Sequence, residues 1–194
     1  SALLQPKWDG GEVTTRNGYD LFGGRLINTT RMYASGPYLG SSIDAEYQQH
    51  FSDGADGDDN DGLYGNDEDG VTIPAAGNET APGQNVTLNA RCNGGGAVAG
   101  WIDWNHNGVF DPAEKSAQVT CDGRSNATLK WTVPEDVVRS IDGETGSQPH
   151  TYLRVRTAKA GVDLKPTGST MDGEVEDYRL AVRVPTIQLV KNVQ

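Results

Sequence analysis

Four stretches of the chain alternate apolar and polar residues with a period of two, the signature of strands that present one face to a core. Val86, Leu88, Ala90 and Cys92 share one side, against Thr87, Asn89 and Arg91 on the other. Ala127, Leu129, Trp131 and Val133 repeat the pattern up to Pro134. Thr151, Leu153, Val155 and Thr157 alternate with Tyr152, Arg154 and Arg156, and Tyr178, Leu180, Val182 and Val184 alternate with Arg179, Ala181 and Arg183. Residues 97–104 are rich in β-formers, and a shorter strand is expected over 117–121. Pro134 and the two acids after it suit a helix start, so one helical turn is expected over 134–138. Residues 1–55 are Gly-rich, with aromatic positions at Trp8, Tyr19, Phe22, Tyr33 and Tyr38 but few clean alternations. Several short strands with turn signals between them predict an all-β chain, a β-sandwich with little helix. A length of 194 residues suits one large domain, or a domain with an N-terminal extension.

The pattern breaks at Asp103-Trp-Asn105-His-Asn107-Gly108-Val109-Phe110-Asp111-Pro-Ala-Glu114. Oxygen-bearing side chains fall at loop positions 1, 3, 5, 9 and 12, Gly108 stands at the sharp turn, and the Val109 carbonyl serves position 7. Calcium requires six to eight hard oxygen ligands, and this spacing aims Asp103, Asn105, Asn107, Val109, Asp111 and Glu114 at one centre. A polar turn between strands is the plainer reading, but it leaves Glu114 unexplained. An EF-hand would have a helix on each side; here a β-domain carries the motif.

Charge sharpens the picture. The formal net charge is −11, yet between Met32 and Ala90 there is no Lys or Arg and there are 11 acids. The rest of the chain carries 16 acids against 16 bases. Asp44 and Glu46, then Asp56, Asp58, Asp59 and Asp61, then Asp67 and Asp69 stand in short Asp/Asn/Gly patterns. Such spacing lets carboxylates converge on one ion, whereas an unneutralised cluster repels itself. Metal binding is therefore expected here in preference to a solvated linker. A further group, Glu174, Glu176 and Asp177, precedes the last alternating run. On a strand Glu174 and Glu176 face one way and Asp177 the other, and with Asp69 and the 103–114 loop these acids are expected to build shared calcium sites.

Cys92 and Cys121 are the only cysteines and flank the calcium loop. A disulfide between them is favoured over two buried thiols. Together with calcium sites it points to an oxidising, calcium-rich extracellular setting at the cell surface. The chain lacks a basic footprint for nucleic acid and has no apolar run of 18 residues for insertion into a membrane. His50, His106 and His150 stand in no zinc spacing, and no nucleophile elbow is present, so a non-enzymatic role is expected.

Asp69-Gly-Val71, Trp101-Ile-Asp-Trp-Asn-His-Asn-Gly-Val-Phe-Asp111, Val133-Pro134, Tyr152-Leu-Arg-Val-Arg156 and Gly173-Glu-Val-Glu-Asp-Tyr178 together resemble the GEVED domain of large secreted and surface-anchored bacterial proteins. The resemblance spans about residues 67–184. It implies a calcium-stabilised β-sandwich with long calcium-binding loops. An N-terminal extension over 1–66 with an acidic calcium-binding loop is expected to pack on it, and the strand-like tail from Thr186 makes 185–194 the expected start of a linker or next domain. More loosely, the chain is similar to the calcium-dependent peptide-binding modules of repeat-in-toxin adhesins, where calcium helps hold a protein C-terminus. The expectation is a calcium-dependent adhesion module, part of a longer chain, that recognises a peptide or glycan on a host or partner cell. A calcium-rigidified spacer in an adhesin stalk is the alternative.

Overall fold

A computed structural model describes residues 19–20, 25–26, 36–41, 69–73, 78–79, 81–137, 150–166 and 173–183. Among the described residues nine strands run in chain order: β1 (Tyr19–Asp20), β2 (Arg25–Leu26), β3 (Asn78–Glu79), β4 (Asn85–Arg91), β5 (Ala97–Ile102), β6 (Val119–Thr120), β7 (Asn126–Thr132), β8 (His150–Ala158) and β9 (Glu174–Arg183). They form a five-stranded sheet of order β3-β9-β8-β5-β6, a two-stranded sheet of β4 and β7, and a separate β1-β2 pair. All pairings are antiparallel except β3 with β9, which is parallel.

The two-stranded sheet follows the sequence pattern directly. β4 and β7 each alternate exposed and buried positions along seven residues. Their buried sides, Val86, Leu88 and Ala90 with Ala127, Leu129 and Trp131, join Val98 and Ile102 of β5, Leu153 and Val155 of β8, and Tyr178 and Leu180 of β9 in one core. Two sheets thus face each other across a shared apolar layer, the architecture of a sandwich. Burying each of the larger side chains contributes roughly 1.5–3 kcal/mol. Gly100 lies on the inward side of β5, where a Cβ would stand 2.8 Å from Trp131 Cζ2, so the missing side chain gives the indole its place.

The central strands of the five-stranded sheet, β5 and β8, are buried on both faces, which period-two reading alone does not reveal. All nine residues of β8 are buried. On the outer face Ala97, Ala99, Trp101, Tyr152 and Ala158 form a second core with Phe110 and Leu164. Phe110 comes from the 103–114 loop and Leu164 from the turn after β8, so these connections act as the lid of that layer. Arg154 and Arg156 are buried on the same face. Arg154 binds Asp177 through Nε (2.7 Å) and Nη2 (2.5 Å) and lies over the Phe110 ring. Arg156 donates to the Lys165 carbonyl, and burial, helped by the neighbouring Arg154 charge, pulls its guanidinium down to about 10.

Two expectations change. The strand over 117–121 contracts to Val119–Thr120, and residues 135–136 form a turn instead of a helical one. The Cys92–Cys121 disulfide is present, with a Cα–Cα distance of 5.9 Å, and joins the end of β4 to the end of β6. Among the described residues no helix is long and apolar enough to cross a membrane.

Candidate functional site

The 103–114 loop begins where β5 ends. Asp103 N–H still donates to the Tyr152 carbonyl, and Thr151 Oγ1 donates to the Asp103 carbonyl, so the first residue of the loop is fixed by β8. The Asp103 side chain is fully buried and accepts from Asn107 N at 3.0 Å and Gly108 N at 2.8 Å. Asn105 Oδ1 accepts from Asn107 N, and Asn107 Oδ1 accepts from Val109 N. The backbone turns with positive φ at His106 (54°) and Gly108 (78°). Gly108 takes that conformation freely because it has no Cβ.

A 3-10 turn at Pro112–Glu114 closes the loop. Glu114 Oε1 accepts from Trp104 N at 2.9 Å and Oε2 from Asp111 N at 2.8 Å, so one carboxylate ties both ends together. The Glu114 carbonyl in turn accepts from Trp131 Nε1 at 2.9 Å, which fastens the loop to β7 across the main core. Next to it, Ser116 Oγ accepts from Gly100 N.

Electrostatically the loop crowds buried carboxyl groups together. Burial pushes the Asp103 carboxyl up to about 6, against the lowering effect of its bonds to Gly108, Asn107 and His106 backbone groups, and Asp111 raises it further. Burial pushes Glu114 up to about 7, with repulsion from Asp103 and Asp111 adding to it. No Lys or Arg among the described residues forms an ion pair with these three acids. The donor set is therefore all oxygen: three carboxylates, two amide oxygens with a second lone pair each, and the Val109 carbonyl, which fits a hard divalent cation. Among the described residues no three His, Cys, Asp or Glu side chains already converge as a metal cage, because Asp103 and Glu114 are turned onto backbone N–H groups.

The second acidic group is placed elsewhere and bonded differently. Glu174, Glu176 and Tyr178 lie on the inward face of β9, and Asp177 on the outward face with Arg154, as strand alternation requires. Glu174 Oε2 accepts from Leu39 N at 2.5 Å, and Glu176 Oε1 from Gly70 N at 3.2 Å. Tyr178 OH donates to Glu176 Oε2 and accepts from Val71 N. Asp69, which is exposed, accepts from Ser41 N and Ser41 Oγ. These acids hold the segments 36–41 and 69–73 on the sandwich. The register explains why they do not share a site with the loop: Glu174 stands opposite Thr157, whereas Asp103 is bonded beside Tyr152, five residues or roughly 16 Å along β8. Asp44, Glu46, Asp56, Asp58, Asp59, Asp61 and Asp67 lie outside the described residues.

Sequence reasoning did not anticipate Arg154, Arg156 or the Tyr178 hydroxyl. The one available signal was that Arg154 and Asp177 occupy the polar phases of two runs expected to be strands, which allows them to meet across a pairing.

No match was found among curated proteins or among solved structures. The model of the GEVED domain matches residues 97–181, a narrower span than 67–184, taking in β5 to β8, the 103–114 loop and β9 as far as Ala181, but not β4. Over residues 97–181 the chain is similar to the GEVED domain.

Proposed function

We propose that the chain is a calcium-dependent adhesion module of a bacterial cell-surface protein, one part of a longer extracellular chain and without catalytic activity. The observation that supports calcium is the 103–114 loop, where Asp103, Asp111 and Glu114 repel one another with no basic side chain among the described residues paired to them. In this reading Asp103, Asn105, Asn107, Val109, Asp111 and Glu114 hold the ion. It neutralises the loop, and the loop then closes over Trp101 through Phe110 and onto β7 through Trp131. The ligand is a peptide, such as a protein C-terminus, or a glycan on a host or partner cell. Its contact residues are sought first in the acidic stretch from Asp44 to Asp67.

A second reading, a calcium-rigidified spacer, is favoured by one specific feature. Asp103 and Glu114 are 0% and 4% exposed, so an ion held there stabilises the fold more readily than it meets a ligand. Calorimetric calcium titration of wild type and Asp103→Ala tests the ion. Wild type should bind calcium and gain thermal stability, and Asp103→Ala should lose most of both. A melting curve unchanged by chelation would remove calcium from the account. Peptide and glycan arrays probed with and without calcium separate the two roles: calcium-dependent hits favour adhesion, and a blank array favours the spacer.

A further inference from the structure

Residues 36–41 contribute only an isolated bridge, Leu39 to Cys92, yet they are held from several sides by parts distant in sequence. Leu39 is fully buried in the main core. Its N–H donates to Glu174, Gly40 N donates to the Arg91 carbonyl at 3.0 Å, and Asn93 N donates to the Tyr38 carbonyl at 2.8 Å. Asn93 Nδ2 adds a bond to the Gly40 carbonyl. Pro37 lies where Cβ atoms on Gly94 and Gly96 would be. Gly40 has φ +62°, and the Asp69 carboxylate fills the space a side chain there would need. Each wall is therefore supplied by the sandwich, and each wall selects something: two glycines admit a proline, the core admits a leucine, and Asp69 demands a glycine after it.

We propose that β4, the 93–96 turn, Asp69 and Glu174 form a docking slot for an extended Pro-x-Leu-Gly segment, filled in cis by residues 36–41 and able to take the same segment from a second copy of this chain. The recognition is strand addition, in which backbone hydrogen bonds give affinity and a side-chain pocket gives specificity. Glu174, 2% exposed, strengthens it as a charged acceptor for a backbone N–H. Two of the walls are anchored independently of the segment: Cys92 is locked to Cys121, and Glu174 lies in β9. The slot is separate from the 103–114 loop, and its test is run at constant calcium, so it stands or falls apart from the ion.

The full chain carrying Leu39→Asp evicts its own segment and is titrated with a synthetic peptide of residues 34–43. Saturable binding is expected, at least about tenfold tighter than to wild type, whose slot is filled. A peptide carrying Leu39→Asp or Gly40→Ala should lose at least about tenfold, and so should a chain that also carries Glu174→Gln. A Leu39→Asp chain that keeps slow amide exchange in β4 and β7 but ignores the peptide overturns the proposal. Should Leu39→Asp fail to fold, the wild-type chain with a protease site placed between residues 50 and 60 is cut instead. Co-elution of the N-terminal fragment on native size exclusion supports the slot, and separation of the fragment overturns it.

Discussion

In the absence of calcium the protein should lose stability as pH rises from about 4 to about 7, the reverse of ordinary acid denaturation. An acid whose folded pKa lies above its unfolded value holds its proton more tightly when folded. Its contribution is complete below the unfolded pKa and is lost as pH climbs to the folded one. Asp103 rises from 3.8 to about 6 and Glu114 from 4.5 to about 7. At 1.36 kcal/mol per pH unit each shift costs about 3 kcal/mol at pH 8. Repulsion from Asp103 contributes to the Glu114 shift, so the two titrations are coupled and the pair costs on the order of 5 kcal/mol. A domain is stable by only about 5–15 kcal/mol, and for this size 1 kcal/mol moves the Tm by about 2–4 °C, so the loss should read as roughly 10–20 °C. Circular dichroism melts across that pH range, in calcium-free buffer and in millimolar calcium, measure it, and calcium should flatten the curve. Burial is the larger cause of both shifts, and Asp111→Asn tests the smaller, repulsive one. It removes repulsion from both buried acids without touching the N–H bonds that hold them, while every other titrating group is unchanged. It should raise the calcium-free Tm at pH 8 relative to wild type and weaken calcium binding. Equal, level curves for both proteins between pH 5 and 8 would refute the reasoning.

Gly100→Ala should destabilise by about 1–3 kcal/mol in urea unfolding, because its Cβ enters contact range of Trp131 and Leu129. Cys92→Ala with Cys121→Ala should cost about 3–4 kcal/mol, read by the same unfolding curves, since it frees a loop of sequence separation 29. Arg154→Met should cost about 3–5 kcal/mol by stranding the Asp177 carboxylate on the sheet, and adding Asp177→Leu should recover most of it. If the double variant is no better than the single one, Arg154 contributes through packing on Phe110 and not through its charge.

The fold was legible where one face of a strand is wet. β4 and β7 show that alternation in sequence and in burial, and the facing core follows from it. It was less legible in β8, where Arg154 and Arg156 occupy the polar phase yet are buried against Asp177 and the 165–166 carbonyls. A lone sequence cannot say that loops will cover a sheet's second face. The 103–114 loop was readable because each ligand position needs a particular oxygen at a fixed spacing. The role of Glu174 and Glu176 in holding the upstream segments was not, because the groups they hold there are backbone N–H groups of Leu39 and Gly70, more than a hundred residues away and carrying no side-chain signature.

The Cys92–Cys121 bridge has a mechanical consequence. Tension entering through the chain ends crosses directly from β4 to the end of β6, because the covalent link short-circuits everything between. With a sequence separation of 29, roughly 100 Å of contour length stays hidden from any pull. β5 and the whole of the 103–114 loop lie inside that shielded interval. The sandwich can therefore be stretched at its termini without the load being drawn along the residues around Glu114, until the disulfide itself is reduced.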